Sequence, residues 1–117
     1  MPQTAGMRTM VAGPYASGTA DEAIRAARLA ALNQAALALF RLGHVPVIGV
    51  NLALPLIAEA GSEAYDEIML PLSLALADRC DACLRIGGVS NGADAEVTRF
   101  AQRGLPVYRR VEDVPRG

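Results

Sequence analysis

Glu96 stands in the first turns of an expected helix, just after the glycine-rich run Gly87-Gly88-Val89-Ser90-Asn91-Gly92. A carboxylate there is held anionic by the helix dipole. It then suits the part of a nucleophile, or of a grip on sugar hydroxyls, better than that of a general acid, which needs a raised pKa. Acidic residues also gather in first helical turns for stability alone. A second glycine-bearing loop, Gly13-Pro14-Tyr15-Ala16-Ser17-Gly18-Thr19, leads into another expected helix. Such loops present free amide donors at the positive end of a helix, a place for a phosphate or a carboxylate. The same glycines also serve as plain turn residues.

The elements that must position these residues read as alternating strands and helices. Met7 to Ala12 is a short apolar run ended by the Gly13-Pro14 turn. A helix capped by Thr19 or Asp21 runs to about Leu42, with Ile24, Ala27, Ala31 and Ala35, and Leu32, Ala36 and Phe40, at helical spacing, and Gly43 stops it. Arg25 and Arg28 fall on its wetter side. Val45 to Val50 predicts a second, buried strand. Leu52 to Ala60 and Glu63 to Asp78 predict two helices, the second kinked or restarted at Pro71. Ala82 to Ile86 and Leu105 to Tyr108 complete the strands, with a helix from about Ala93 to Arg103 between them. The pattern predicts an α/β fold, helices on both faces of a mostly parallel sheet of four to five strands. Ligands in such sheets bind at the carboxyl ends of the strands, where both glycine loops fall.

Other residues carry weaker signals. Tyr15, a second candidate for the catalytic part, can stack on a base or donate its hydroxyl, or simply cover its turn. Ser17 can donate to a phosphate or cap the helix. Asn51, past the second strand, can bond a base or serve as a turn residue. His44 falls at the opposite sheet edge and reads as a surface residue. Arg25 and Arg28 read as solvated charges. Arg109 and Arg110 follow the last strand, and either one could reach an anionic ligand. Cys80 and Cys83 form the one Cys-x-x-Cys, but zinc wants four ligands and only His44 could add to them, so no metal and no cofactor is expected.

Length and composition fit this fold. The 117 residues make one domain, with a core over 7–109 and a polar tail over 110–117 that reads as loose. Hydrophobic residues make up 52% and charged residues 20%, which excludes a disordered chain. A net charge of -1 argues against a nucleic-acid polymer as partner. Met1 to Thr9 has no long apolar core, so no signal peptide is expected. The apolar run Ile68 to Ala77 is far short of the ~20 residues of a membrane span, so a cytoplasmic protein without membrane contact is expected. A helix apolar all round must be buried on more than one side, so Met69, Leu70, Leu72, Leu74 and Leu76 are candidates for a homodimer or higher homo-oligomer interface.

The residues also carry a family pattern. Ala12-Gly13-Pro14-Tyr15-x-x-Gly18, then Cys80-Asp81-Ala82, then Ser90-x-Gly92-Ala93-x-x-Glu96 with Ala101 and Gly104-Leu105-Pro106-Val107, resemble the nucleoside 2-deoxyribosyltransferase-like superfamily with its small nucleotide N-glycosidases. The resemblance spans about residues 8–109. It implies a flavodoxin-like sheet, and cleavage or transfer at the N-glycosidic bond of a nucleoside or its 5′-monophosphate. It implies Glu96 as the nucleophile at the anomeric carbon, Ser90 and the amides around Gly92, with Asn91, as holders of a 5′-phosphate, and Gly13, Pro14, Ser17 and Gly18 as the lining of the sugar or base pocket. It also implies that a neighbouring subunit can complete the site. One departure stands out. The family's aspartate in the helix before the third strand is matched here by Ser73, which cannot shuttle a proton to a leaving base as a carboxylate can. Asp66, Glu67 and Asp78 lie nearby, Asp66 on the same helix face if Pro71 leaves the helix unbroken. A non-catalytic nucleotide-binding or sensing module of the same fold is therefore the alternative expectation.

Overall fold

The computed structural model describes residues 6–117; Met1 to Ala5, part of the stretch read for a leader, lie outside the described residues. Four parallel strands, β1 (Arg8–Ala12), β2 (Val45–Val47), β3 (Ala82–Arg85) and β4 (Val107–Tyr108), form one sheet in the order β2-β1-β3-β4. Four helices connect and cover them: α1 (Glu22–Arg41), α2 (Gly49–Ala60), α3 (Tyr65–Ala77) and α4 (Asn91–Gln102). This is the flavodoxin-like winding expected from the sequence, with the strand order reversing between β1 and β3. Their register sets Met10 against Cys83, Val11 against Leu84 and Ala12 against Arg85.

Alternation along β1 and β3 divides the core into two layers. Met10, Ala12 and Cys83 face α3 and α4, packing with Ala77, Ala93 and Phe100. Val11 and Leu84 face α1, packing with Leu32, Ala35, Leu39 and Val114. Asp21 is the cap of α1: its carboxylate accepts from the amides of Ala23 and Ile24, while Thr19 accepts one step earlier, from the Asp21 amide. Among the described residues, no helix is long and apolar enough to cross a membrane.

Several local expectations are corrected. The second strand is not a buried run to Val50. Pro46 lacks a ladder donor and suits the sheet edge that β2 occupies, and the chain turns into α2 at Gly49. Asn51 therefore sits on α2, where its amide donates to Asn33 on α1 at 2.7 Å. The buried face of α1 is set by Leu32, Ala35 and Leu39, which leaves Phe40 66% exposed and Ile24 44% exposed. Pro71 neither breaks nor restarts its helix; a 3-10 turn at Ser62–Ala64 precedes one continuous α3. The expectation of an interface on the apolar run Ile68 to Ala77 is not among these corrections: within the single chain only Ser73 and Ala77 of that run are fully buried, and Leu70 is exposed.

The tail is not loose. Val114 packs into the α1 layer, and the Gly117 amide donates to the Leu42 carbonyl. His44 is buried rather than superficial: its Nδ1 accepts from the Met7 amide and its Nε2 bonds the Pro115 carbonyl. That pair of bonds ties the first strand to the tail through one imidazole.

Helices α2 and α3 pack tightly at Gly49, which lies against Ser73. A Cβ there would lie 2.1 Å from the Ser73 hydroxyl oxygen and 3.2 Å from the Ser73 Cα, so backbone as well as side chain would have to shift. Gly49→Ala is expected to lower stability by about 1–3 kcal/mol, as overpacking does. Gly88→Ala, with open space around it and no left-handed backbone, is the control and is expected to change stability by no more than about 0.5 kcal/mol. Urea unfolding of both variants checks the difference.

Candidate functional site

The loops after β1 and β3 meet above the point where the strand order reverses. Ser17 from the first and Ser90 from the second are hydrogen-bonded through their hydroxyls at 2.9 Å. Ser90 is also the N-cap of α4, its hydroxyl oxygen accepting from the Ala93 amide at 3.1 Å while its carbonyl accepts from Asp94. This leaves the amides of Asn91 and Gly92 without an acceptor among the described residues. An anion placed there meets two open N–H groups and the positive end of a helix of 12 residues.

Two arginines, expected as solvated charges, hold the first loop instead. Arg28 donates to the Tyr15 and Ser17 carbonyls at 3.1 and 2.7 Å. Arg25 forks onto the Thr19 carbonyl and lies over the Tyr15 ring, 5.8 Å from its centre. Gly13 and Gly87 serve close packing: a Cβ on Gly13 would strike the Ile86 carbonyl oxygen at 2.9 Å, and one on Gly87, at φ +77°, the Pro14 ring at 2.7 Å.

Beneath the two loops lies a cleft of about 470 Å³, within the size range of small-molecule sites. Gly13, Tyr15, Ser17, Ser90, Gly92 and Glu96 all line it, so six of the nine sequence-derived site residues converge. Gly18 and Asn91 line an adjoining cleft that shares Ser17, Ser90 and Gly92 with it and adds Arg28. Pro14 lines neither, facing a separate crevice beside Gly87.

The remaining wall of the main cleft comes from α3 and the start of α2. Tyr65, Asp66, Met69, Leu70 and Ser73 face it, along with Val50. Tyr65 was not legible as a site residue, since it stands at a helix start that the sequence placed earlier. Burial pushes its phenol above the ordinary value, so it stays protonated at neutral pH. Asp66 shares the cleft with Ser73 because α3 runs unbroken through Pro71. The other nearby acids do not reach it: Asp78 pairs with Arg99, and Asp81 lies at the opposite sheet edge, where the Arg8 amide and guanidinium hold its carboxyl below the usual range.

Glu96 is 8% exposed, and its protonation overturns the sequence expectation. Burial pushes its carboxyl up to about 7, against the opposing pull of the Arg85 charge. It stands on the sixth residue of α4, beyond the first turn where the dipole is strongest, so desolvation wins. Near neutrality the group divides between acid and carboxylate, which fits it for proton transfer as well as for attack. The two cysteines lie in the core, and burial pushes the Cys83 thiol up to about 12, so it packs as a neutral side chain. Among the described residues, no group of three or more His, Cys, Asp or Glu side chains is arranged to hold a metal ion.

No protein-family model matches the chain, and no curated protein matches it.

The buried carboxyl has a consequence for stability. Between the ordinary value of 4.5 and about 7, the folded chain keeps a proton that the unfolded chain has released. Stability therefore falls as pH rises through that window and levels off above it, by about 3 kcal/mol in all. Glu96→Gln removes this dependence. Urea unfolding is expected to show the variant gaining on the native chain between pH 5 and pH 8; an unchanged difference would mean that Glu96 ionises freely.

Proposed function

We propose that the chain is an N-glycosidase or deoxyribosyltransferase-type enzyme acting on a nucleoside 5′-monophosphate or nucleoside. The observation that carries this reading is a buried carboxyl sharing one cleft with an open helix N-terminus. The Asn91 and Gly92 amides and the Ser90 hydroxyl suit the phosphate, the rings of Tyr15 and Tyr65 suit a planar base, and Glu96 is left for the sugar.

The chemistry follows from these placements. The ionised Glu96 attacks the anomeric carbon through an oxocarbenium-like transition state, and the carbon–nitrogen bond breaks with its electron pair on the base. The base takes a proton from water or from a cleft hydroxyl that water re-protonates. A water molecule then opens the glycosyl ester and restores Glu96, so the sum consumes one water; a second base in its place gives transfer. Asp66 is the carboxylate available on the Ser73 face to take a proton from that water.

A second reading, a nucleotide-binding or sensing module, is favoured by Ser73. Its hydroxyl is packed against Gly49 and brings no acid to the cleft. A homo-oligomer belongs to the same proposal, supported by exposed leucines on two helices packed together, Leu70 on α3 and Leu52 and Leu56 on α2; light scattering of the purified chain tests it.

Incubation with each common nucleoside and 5′-monophosphate, ribo and deoxy, followed by chromatography for free base, tests the main reading. Base release is expected, with Glu96→Gln lowering it by more than about 10²-fold while binding persists. The acid limb of kcat/KM is expected to rise through about pH 7, as Glu96 ionises. Thermal stabilisation by a nucleotide without any base release would transfer the conclusion to the binding module, and a ligand at 100 times its Kd should add about 2.7 kcal/mol.

A further inference from the structure

The main cleft carries acids without cations. Among the described residues, Glu96 and Asp66 are its acid side chains, its lining holds no arginine or histidine, and the chain has no lysine. Neither carboxyl enters an ion pair with a described residue. The hydrogen bonds to side-chain carboxylates go to Asp21, Asp78, Asp81 and Asp94 instead. Glu96 is 8% exposed, and no buried side-chain oxygen is sealed away without a partner, so its carboxyl opens on the cleft. A buried carboxylate without partners is unfavourable, and a cation brought by a ligand relieves it.

The arginines around the site do not supply that cation. Arg85 donates to the Ile86 and Gly88 carbonyls and to Asp94, and Arg25 forks onto the Thr19 carbonyl; neither lines the cleft. Arg28 lines the adjoining cleft, together with Asn91 and Gly92. The two clefts share Ser17, Ser90 and Gly92, so the open space runs from a positive end at Arg28 and the start of α4 to an acidic end at Glu96 and Asp66. A complementary ligand carries an anion at one end and a planar cation at the other. The ring of Tyr65, on the acidic side, suits such a cation, since an aromatic face attracts it.

The chemistry of the leaving group agrees. A neutral base leaves a sugar with the help of an acid, which contributes about 10²–10⁴-fold. The Ser73 hydroxyl is packed against Gly49, and burial raises the Tyr65 phenol, which makes it a weaker acid. Glu96 is taken by the sugar, and Asp66 by the proton of the attacking water.

We propose that the substrate class of this site is a nucleoside 5′-monophosphate whose base is a positively charged ring, a pyridinium or an N-alkylated purine, with its phosphate at the N-terminus of α4 and its base among Tyr65, Asp66 and Glu96. The inference rests on reading Glu96 as the nucleophile of an N-glycosidase. Such a base needs no acid. Glu96 attacks the anomeric carbon, the carbon–nitrogen bond breaks with its electron pair on the ring nitrogen, and the base leaves neutral. Water then opens the glycosyl ester and restores Glu96, and its proton passes by Asp66 to solvent. One cationic nucleotide and one water give the sugar 5′-phosphate, a neutral base and one proton.

Nicotinamide mononucleotide and uridine 5′-monophosphate are the paired probes, alike in sugar phosphate and in a single-ring base but different in the charge of that base. Base release from the first is expected to exceed that from the second by about 10²-fold or more in kcat/KM, the share an acid would otherwise supply. Binding is read by calorimetry on Glu96→Gln protein, where no turnover intervenes. Adding Asp66→Asn is expected to weaken nicotinamide mononucleotide by about 2- to 5-fold, as an exposed charge pair gives, and to leave uridine 5′-monophosphate unchanged. Equal or faster release from uridine 5′-monophosphate, or an equal change in affinity for both probes, overturns the inference and leaves the N-glycosidase reading standing. Release of base from neither these probes nor the common nucleotides refutes that reading and the inference with it.

Discussion

The parallel pairing of β1 with β3 is the contact on which the candidate site depends. It runs from Thr9 against Ala82 to Ala12 against Arg85, and the Ile86 amide extends it by donating to the Ala12 carbonyl. Both following loops are thereby released at the same level of the sheet, where the chain winds away to opposite sides. The hydroxyl contact between Ser17 and Ser90 follows from that register. A slip of one residue would turn Met10 and Val11 to the wrong layers and separate the loops, so the apolar alternation that builds the core also aligns the site.

On this frame the local forces compete, and burial prevails at Glu96. The dipole of α4 favours a carboxylate, but it acts mainly on the first turn, whose open amides lie at Asn91 and Gly92. Glu96 comes one turn later, packed toward the sheet. Its displacement to about 7 leaves it divided between acid and carboxylate at neutral pH and makes it a cost to the fold above that value.

Much of this was legible in the sequence, for reasons that differ by residue. The strands could be read because continuous apolar runs ended at Gly13-Pro14 and Gly87-Gly88, and the caps because Asp21 and Ser90 precede helical runs. The convergence of Ser17, Ser90 and Glu96 followed from the rule for strand ends. What stayed hidden depends on contacts distant in sequence. Ile48 and Val50 resemble a strand, but an edge strand beginning Val45-Pro46 stops early and yields to a helix. Arg28 looks solvated on a helical wheel, yet it satisfies the Ser17 carbonyl across the loop. His44 is a lone polar residue at a helix-to-strand turn and Val114 stands in a polar tail, and what buries them is each other's end of the chain, a contact distant in sequence. The position of Glu96 on the cleft is legible but the upward shift of its carboxyl is not, because position on a helix is local and desolvation is not.

The central claim is that the two loops and the buried carboxyl form one binding site. The most direct measurement is a nitrogen-15 amide NMR titration of the native chain with a deoxynucleoside 5′-monophosphate, run beside inorganic phosphate and the matching nucleoside. The account predicts that Ser17, Gly18, Asn91 and Gly92 shift and saturate together with Tyr15, Tyr65 and Glu96 for the nucleotide, with only the loop amides responding to phosphate. Shifts confined to other surfaces, or no saturable shift with any of the three, would contradict it.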